Sequence, residues 1–113
     1  GLMITIGNPD SRRDFTDVRD TAAGIAQVVT RRLQGTFNVC SGEAIAMGSI
    51  VHGLNLSTRV EVGMLVDPER AHPADVSELY GSPENLCGTT GWKPAIPLQT
   101  SRGELLEGWR ERA

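Results

Sequence analysis

The chain has 113 residues, of which 39% are hydrophobic and 22% are charged, and its formal net charge is −3. This composition is typical of one globular domain and excludes an intrinsically disordered chain. The slightly acidic balance gives no electrostatic reason to bind nucleic acid or an anionic membrane, and no apolar run is long enough to span a bilayer.

The first half of the sequence predicts two strands that alternate with two helices. Residues 3–6 favour a strand, which the turn sequence Gly-Asn-Pro-Asp ends. Asp17 can cap a helix that ends at Gly35. Residues 36–40 are β-branched and aromatic and predict a strand, and a weakly specified helix lies around residues 47–54. The first helix repeats its apolar side chains every three or four positions, at Ala22, Ile25, Val29 and Leu33.

The second half predicts one strand, a loop and two helices. Residues 59–66 alternate with the period of a half-buried strand, whereas residues 67–75 carry two prolines and four charges and predict a loop. Pro83 favours the start of a short helix, which Gly91 ends. A last helix follows Pro97, and its first turns are expected to be loose because a glycine interrupts it. Because the helix around residues 47–54 is only weakly specified, the elements together indicate an α+β domain with about three helices and three or four short strands.

The cysteines and tryptophans are interpreted as structural residues. Cys40 and Cys87 are too few for a disulfide framework, and they show no metal-ligand spacing with the two histidines. We expect two small hydrophobic side chains in a reduced, cytoplasmic protein, with no metal. Trp92 and Trp109 are expected to be core anchors.

Short segments along the chain carry a family resemblance. They read RDFTDVRD at 13–20, FNVCSG at 37–42, LYGSP at 79–83 and TGWKP at 90–94. In that order they resemble the C-terminal part of the extended short-chain dehydrogenase/reductases that act on nucleotide sugars. The resemblance is greatest to GDP-mannose 4,6-dehydratases and GDP-4-keto-6-deoxy-mannose reductases. It covers nearly the whole chain and implies a single C-terminal substrate-binding domain over residues 1–113, without the Rossmann nucleotide-binding half.

The sequence lacks the catalytic and cofactor motifs of that family. Family members react through a Tyr-x-x-x-Lys pair and hold NADP on a Gly-rich turn. Tyr80 and Lys93 are the chain's one tyrosine and one lysine, so this pair cannot form, and no Gly-x-Gly occurs. The resemblance therefore implies the GDP-sugar-binding portion of an NADP-dependent dehydratase-like or reductase-like enzyme. This portion is expected to be inactive on its own and to hold no cofactor.

The alternative is a standalone, non-catalytic binding or assembly module from a truncated gene. The coding sequence upstream of this chain discriminates between the two hypotheses. A Gly-x-x-Gly-x-x-Gly motif and a Tyr-x-x-x-Lys pair encoded there would favour the enzyme. A stop codon there would favour the module.

The resemblance also implies a binding site for the nucleotide diphosphate. In the family, the arginine at the position of Arg13 reaches the diphosphate and the ribose. A guanidinium presents a planar fork of donors that matches phosphate oxygens, and Asn8 belongs to the same turn. Charge content alone leaves another interpretation open, in which the arginine pairs on the surface with Asp14, Asp17 or Asp20.

The loop after the third predicted strand aligns with the family segment Arg-Pro-Ser/Thr-Asp/Glu-Val. Its arginine binds the diphosphate, and its acid accepts hydrogen bonds from the ribose hydroxyls. Asp75 keeps the acid position, but His72 stands at the arginine position, and a neutral imidazole offers one donor. Arg70 is a candidate replacement for the missing guanidinium. The predicted substrate-binding residues are Asn8, Arg13, Arg70, His72 and Asp75.

A homo-oligomer is the expected assembly of the chain. In the full-length family this region packs against the nucleotide-binding domain. Taken alone, it should expose an apolar face of the first helix or of residues 36–40. Exposed patches of this kind usually bind a partner.

Overall fold

The structure is a computed structural model that describes residues 2–70 and 76–113. The described residues form four helices and five short strands, which confirms the predicted α+β class. The strands are β1 (Leu2–Ile6), β2 (Arg12–Arg13), β3 (Ile45–Ala46), β4 (Val62–Val66) and β5 (Glu78–Leu79). The helices are α1 (Val18–Thr30), α2 (Met47–Asn55), α3 (Glu84–Thr90) and α4 (Leu98–Arg112).

β1 and β4 form a two-stranded parallel sheet, with Leu2 opposite Val62 and Ile6 opposite Val66. Parallel strands are usually covered by helices on both faces. Neighbouring side chains of a strand point to opposite faces, and here Leu2 is 61% exposed and Met3 is 56% exposed. Both faces of this sheet are therefore open to solvent in the described chain.

A second sheet fixes the backbone on both sides of β2. Its strand order is β3-β2-β5, with β2 antiparallel to β3 and parallel to β5. Arg13 lies opposite Ile45 on one side and Leu79 on the other. This pairing joins the segment before α1 to the starts of α2 and α3.

The small core lies where α1 packs against the segment that follows α3. Leu86 is fully buried and Trp92 is 7% exposed. The indole N–H of Trp92 donates to the carbonyl oxygen of Asp20 at 3.0 Å. Gly24 permits this approach, because a Cβ there would lie 2.7 Å from Val39 and 3.1 Å from the indole ring. Trp92 is therefore a core anchor, as its sequence context predicts.

The described chain is flat and open. Its radius of gyration is 16.8 Å and its extents are 51 × 36 × 19 Å. A compact domain of this length has a radius of gyration of about 13 Å. The accessible surface is 8047 Å², whereas a folded monomer of this mass exposes about 6,000 Å². The chain therefore buries less surface than an independent domain of its size.

The outward side of α1 is apolar. Asp17 caps the helix by accepting from the backbone N–H of Arg19 at 2.8 Å. Asp20 is buried, whereas Ile25 is 52% exposed and Val29 is 70% exposed. The apolar periodicity of this helix thus marks a face that the rest of the described chain leaves uncovered. The expected apolar face is present on the first helix.

Two predictions made from local sequence are wrong, because each required a pairing or packing partner that the described chain does not provide. Residues 36–40 form no strand, and none of the strands among the described residues pairs with them. An isolated extended segment gains no ladder of hydrogen bonds. Trp109 is 62% exposed and is not a core anchor. It lies on the outward side of α4, where the guanidinium carbon of Arg112 is 5.1 Å from its ring centroid.

The predicted looseness at the start of α4 is also wrong. The helix is continuous from Leu98 to Arg112 and includes Gly103. The side chain of Arg102 packs directly over Gly53 in α2. This contact holds the first turns of α4 against α2 and offsets the low helix propensity of glycine.

Candidate functional site

A cavity of about 340 Å³ lies between the turn after β1, the start of α2 and the turn after β4. Three predicted binding residues line it together, namely Asn8, Arg13 and Arg70. The remaining predicted residues, His72 and Asp75, lie outside the described residues. The other lining residues are Ile6, Gly7, Ser11, Met47 and Val51.

The carboxyl ends of β1 and β4 bring two of these residues to the same edge. Both strands run in the same direction, so the turns that follow them emerge side by side. The backbone N–H of Asp67 donates to the carbonyl oxygen of Ile6 at 2.8 Å and joins the two turns. Gly7 permits their close approach, because a Cβ there would lie 2.5 Å from the carbonyl oxygen of Arg70.

Arg13 enters the cavity from the central strand of the second sheet. Its Nη1 donates to the carbonyl oxygen of Arg12 at 2.7 Å. Among residues 2–70 and 76–113, no ion pair includes this guanidinium. A guanidinium carries five N–H donors, so most of its capacity is available to a ligand.

The acid next to this arginine binds backbone groups instead. The carboxylate of Asp14 accepts from the backbone N–H of Ser41 at 2.9 Å, from its hydroxyl at 2.7 Å and from the backbone N–H of Gly42 at 2.9 Å. Burial raises the pKa of Asp14, but the hydrogen bonds from Ser41, Gly42 and Gly81 outweigh it and lower the pKa below 3.8. Asp14 is therefore ionised near neutral pH, and these donors stabilise its charge.

The other two candidate counter-ions are also engaged elsewhere. Asp17 pairs with Arg19 at 2.8 Å and accepts from the hydroxyl of Ser101 at 2.7 Å. The side-chain hydrogen bonds from Arg19 and Ser101 hold the pKa of Asp17 well below its usual range. Asp20 accepts from the backbone N–H of Ile96 at 2.9 Å. In the described chain, Arg13 therefore forms no ion pair with Asp14, Asp17 or Asp20.

Within residues 2–70 and 76–113, Arg70 forms an ion pair with one acid, Asp67. Its Nε lies 3.4 Å from Oδ2 of Asp67, and its own side chain is 67% exposed. Exposed ion pairs of this kind contribute about 0.2–1 kcal/mol. The guanidinium is therefore only weakly held at the mouth of the cavity.

The described lining of the cavity offers hydrogen-bond donors that suit an anion and carries no group for proton transfer. Two guanidiniums, one amide and one hydroxyl surround an apolar floor of Met47 and Val51. Among the described lining residues there is no carboxylate, imidazole, thiol or phenol. Guanidiniums bind phosphate and carboxylate oxygens through pairs of parallel N–H donors.

Sequence reasoning missed the floor of this cavity. Met47 and Val51 were predicted to lie in a helix, but nothing local places that helix beside the arginine. The long-range pairing of β2 with β3 does so, together with a hydrogen bond from the backbone N–H of Met47 to the carbonyl oxygen of Ser11 at 2.9 Å. The turn sequence before Ser11 is the one local feature near this contact, and it does not indicate which helix lies there.

Other chemistries find little support in the described part of the chain. It contains no group of three His, Cys, Asp or Glu residues able to hold a metal ion. Cys40 and Cys87 are free thiols, and burial raises the pKa of Cys40, which keeps it protonated. None of the described helices combines the length and apolarity required to cross a bilayer.

The chain matches the family model described as GDP-mannose 4,6 dehydratase over residues 2–102. It is similar in sequence to GDP-6-deoxy-D-mannose reductase from Pseudomonas aeruginosa. The two are 32% identical over 110 residues, which cover 96% of this chain and 36% of that protein.

The fold is similar to solved structures of larger proteins. The structure of RMD from Pseudomonas aeruginosa complexed with NADPH matches with a TM-score of 0.89 and 28% identity, over 98% of this chain and 37% of that one. UDP-glucose-4-epimerase from Stenotrophomonas maltophila, with bound NAD and formylated UDP-arabinopyranose, matches with a TM-score of 0.78 and 17% identity, over 98% and 37%. The latter likeness concerns the fold alone. The chain spans little more than a third of the length of these proteins.

Proposed function

The chain belongs to the GDP-mannose 4,6 dehydratase family, and on this premise we propose that it is the GDP-sugar-binding portion of a GDP-mannose 4,6-dehydratase-like or GDP-4-keto-6-deoxy-mannose reductase-like enzyme. The observation that carries this proposal is the cavity in which Asn8, Arg13 and Arg70 come together. Its paired guanidiniums suit the diphosphate that a GDP-sugar provides.

Each predicted residue then has a distinct part in binding. Arg13 receives the diphosphate with donors that no acid of the described chain occupies. Arg70 supplies a second guanidinium in place of the arginine that His72 replaces. Asn8 adds an amide at the same edge, and Asp75 accepts from the ribose hydroxyls, as the family resemblance implies.

The affinity of this portion alone should be low. A charge-assisted bidentate contact contributes about 1.5–3 kcal/mol. Association costs at least ~4 kcal/mol in lost translational and rotational freedom. Two such contacts together exceed that cost by at most ~2 kcal/mol, so the dissociation constant for GDP should lie in the range of tens of millimolar.

NADP belongs to another part of a full-length enzyme in this proposal. The relative from Pseudomonas aeruginosa is complexed with NADPH. This chain has no Gly-x-Gly and therefore lacks the turn that holds a dinucleotide pyrophosphate. Its contribution is to hold and orient the nucleotide, and catalysis by orientation depends on such positioning.

The chain alone should show no oxidoreductase or dehydratase activity. It has neither the Tyr-x-x-x-Lys pair nor a dinucleotide motif, and the described cavity lining carries no proton-transfer group. Incubation with GDP-mannose and NADP, with 4-keto sugar as the readout, should give the rate of the protein-free blank. A full-length GDP-mannose 4,6-dehydratase serves as the positive control, because it forms the 4-keto sugar from GDP-mannose. Turnover that depends on this chain would contradict the proposal.

We infer that the apolar face of α1 makes the chain self-associate. Val29 is 70% exposed on this face, and burial of such surface stabilises a contact between two copies. Sedimentation should detect a dimer or larger species, and Val29→Asp should shift the distribution toward monomer. Leu56→Asp, at a residue that is 75% exposed beyond α2, is the matched control and should leave association unchanged. A monodisperse monomer at high concentration would refute the inference.

The same proposal assigns the protein to the cytoplasm. Cys40 and Cys87 are both free and are not paired with each other. Unpaired thiols are typical of proteins in a reducing compartment. The free thiols support this assignment.

A further inference from the structure

The turn after β4 places a carboxylate against one guanidinium of the cavity. Oδ2 of Asp67 lies 3.4 Å from Nε of Arg70. The side chain of Asp67 is 29% exposed, whereas that of Arg70 is 67% exposed. Arg70 lines the cavity and Asp67 does not. Arg70, which lines the cavity, is thus paired with an acid that lies outside the cavity lining.

Asp67 is fixed by the backbone around it. Its Oδ1 accepts from the backbone N–H of Glu69 at 2.9 Å. Its carbonyl oxygen accepts from the backbone N–H of Arg70 at 3.0 Å, and its own N–H donates to Ile6 at 2.8 Å. One carboxylate oxygen therefore holds the turn while the other faces the guanidinium. These contacts hold Asp67 in the turn, whereas the exposed side chain of Arg70 has no such support.

We propose that Asp67 is an internal counter-anion that competes with a nucleotide diphosphate for Arg70, and that it thereby weakens ligand affinity. This inference rests on the proposed function. Bidentate recognition of phosphate by arginine uses two parallel N–H donors. While Nε faces Asp67, the edge of the guanidinium that contains Nε is not available to phosphate oxygens. A ligand that binds this edge must break the pair, and one that binds the edge formed by Nη1 and Nη2 stays close to the carboxylate, so in either case the charge of Asp67 opposes an anionic ligand.

The size of the effect follows from the strength of exposed ion pairs. Such pairs contribute little, which corresponds to a change of about twofold to fivefold in an equilibrium constant. Removing the charge of Asp67 should therefore tighten GDP binding by about twofold to fivefold. The effect requires Arg70, because without its guanidinium there is no pair to break.

The test compares GDP dissociation constants from NMR titrations of the wild-type chain, Asp67→Asn and Glu69→Gln at the same pH and ionic strength. Asparagine keeps an oxygen for the N–H of Glu69, so the turn is preserved while the charge is lost. Glu69→Gln removes the same charge two residues away, from a side chain with no ion pair among the described residues. Amide shifts distant from the turn report whether each variant keeps the native fold.

Asp67→Asn should bind GDP about twofold to fivefold more tightly than Glu69→Gln. In an Arg70→Ala background the two substitutions should become equivalent. Equal dissociation constants in the presence of Arg70, with Arg13-dependent binding by the wild type, would overturn this inference alone. Wild-type binding that is absent or indifferent to Arg13 would overturn the proposed function, and this inference with it.

Discussion

Trp92→Ala is expected to abolish the cooperative unfolding transition of the chain. Trp92 and Leu86 are the two buried hydrophobic residues of the described core. Truncation of a buried tryptophan costs about 3–5 kcal/mol. The change also removes the hydrogen bond from the indole N–H to the carbonyl oxygen of Asp20, 3.0 Å apart, which adds to the cost.

This loss is large relative to the stability that the chain can have. Domains gain about 0.05–0.15 kcal/mol per residue, and this chain exposes 8047 Å² of surface, more than a compact domain of its mass. Its free energy of unfolding should therefore lie near the lower end of that range. Urea unfolding followed by far-UV circular dichroism measures the difference between the variant and the wild type.

Trp109→Ala is the matched control for this experiment. It makes the same chemical change at a side chain that is 62% exposed and contacts the guanidinium of Arg112. Loss of an exposed cation–π contact costs about 0.5–1 kcal/mol. The urea midpoint should shift only slightly. Similar destabilisation by both substitutions would contradict the placement of the core.

The elements that sequence predicts well are those encoded by neighbouring residues. Asp17 caps α1 through the N–H two residues later, and Gly91 ends α3 with a φ of 76° that suits glycine. The alternation of apolar side chains marks β4 within residues 59–66. Each signal depends on short-range geometry, so no distant partner is required.

The predictions that fail depend on what a segment packs against. Residues 36–40 have the composition of a strand but no pairing partner among the described residues. Trp109 has the chemistry of a core residue but lies on the outward face of α4. Periodicity identifies an apolar face, as in α1, but it does not show which body covers that face.

The residues of the site show the same division between local signals and long-range packing. The family resemblance predicts Arg13, which begins the contiguous motif at 13–20, and Asn8 is predicted because it belongs to the same turn. Arg70 was only a candidate replacement, and the parallel pairing of β1 with β4 brings its turn to the edge that carries Asn8. The apolar floor from α2 required the pairing of β2 with β3, which no local pattern encodes.

The most direct test of the central claim is a GDP titration of the chain followed by NMR, with Arg13→Ala and Arg59→Ala measured alongside. Arg59 is an exposed arginine that does not line the cavity, so its substitution controls for the loss of one positive charge. We predict binding in the range of tens of millimolar, with shifts centred on residues 8–14 and 70–76. These shifts should vanish in Arg13→Ala and persist in Arg59→Ala. Tight binding, or binding that does not depend on Arg13, would show that the nucleotide site lies elsewhere.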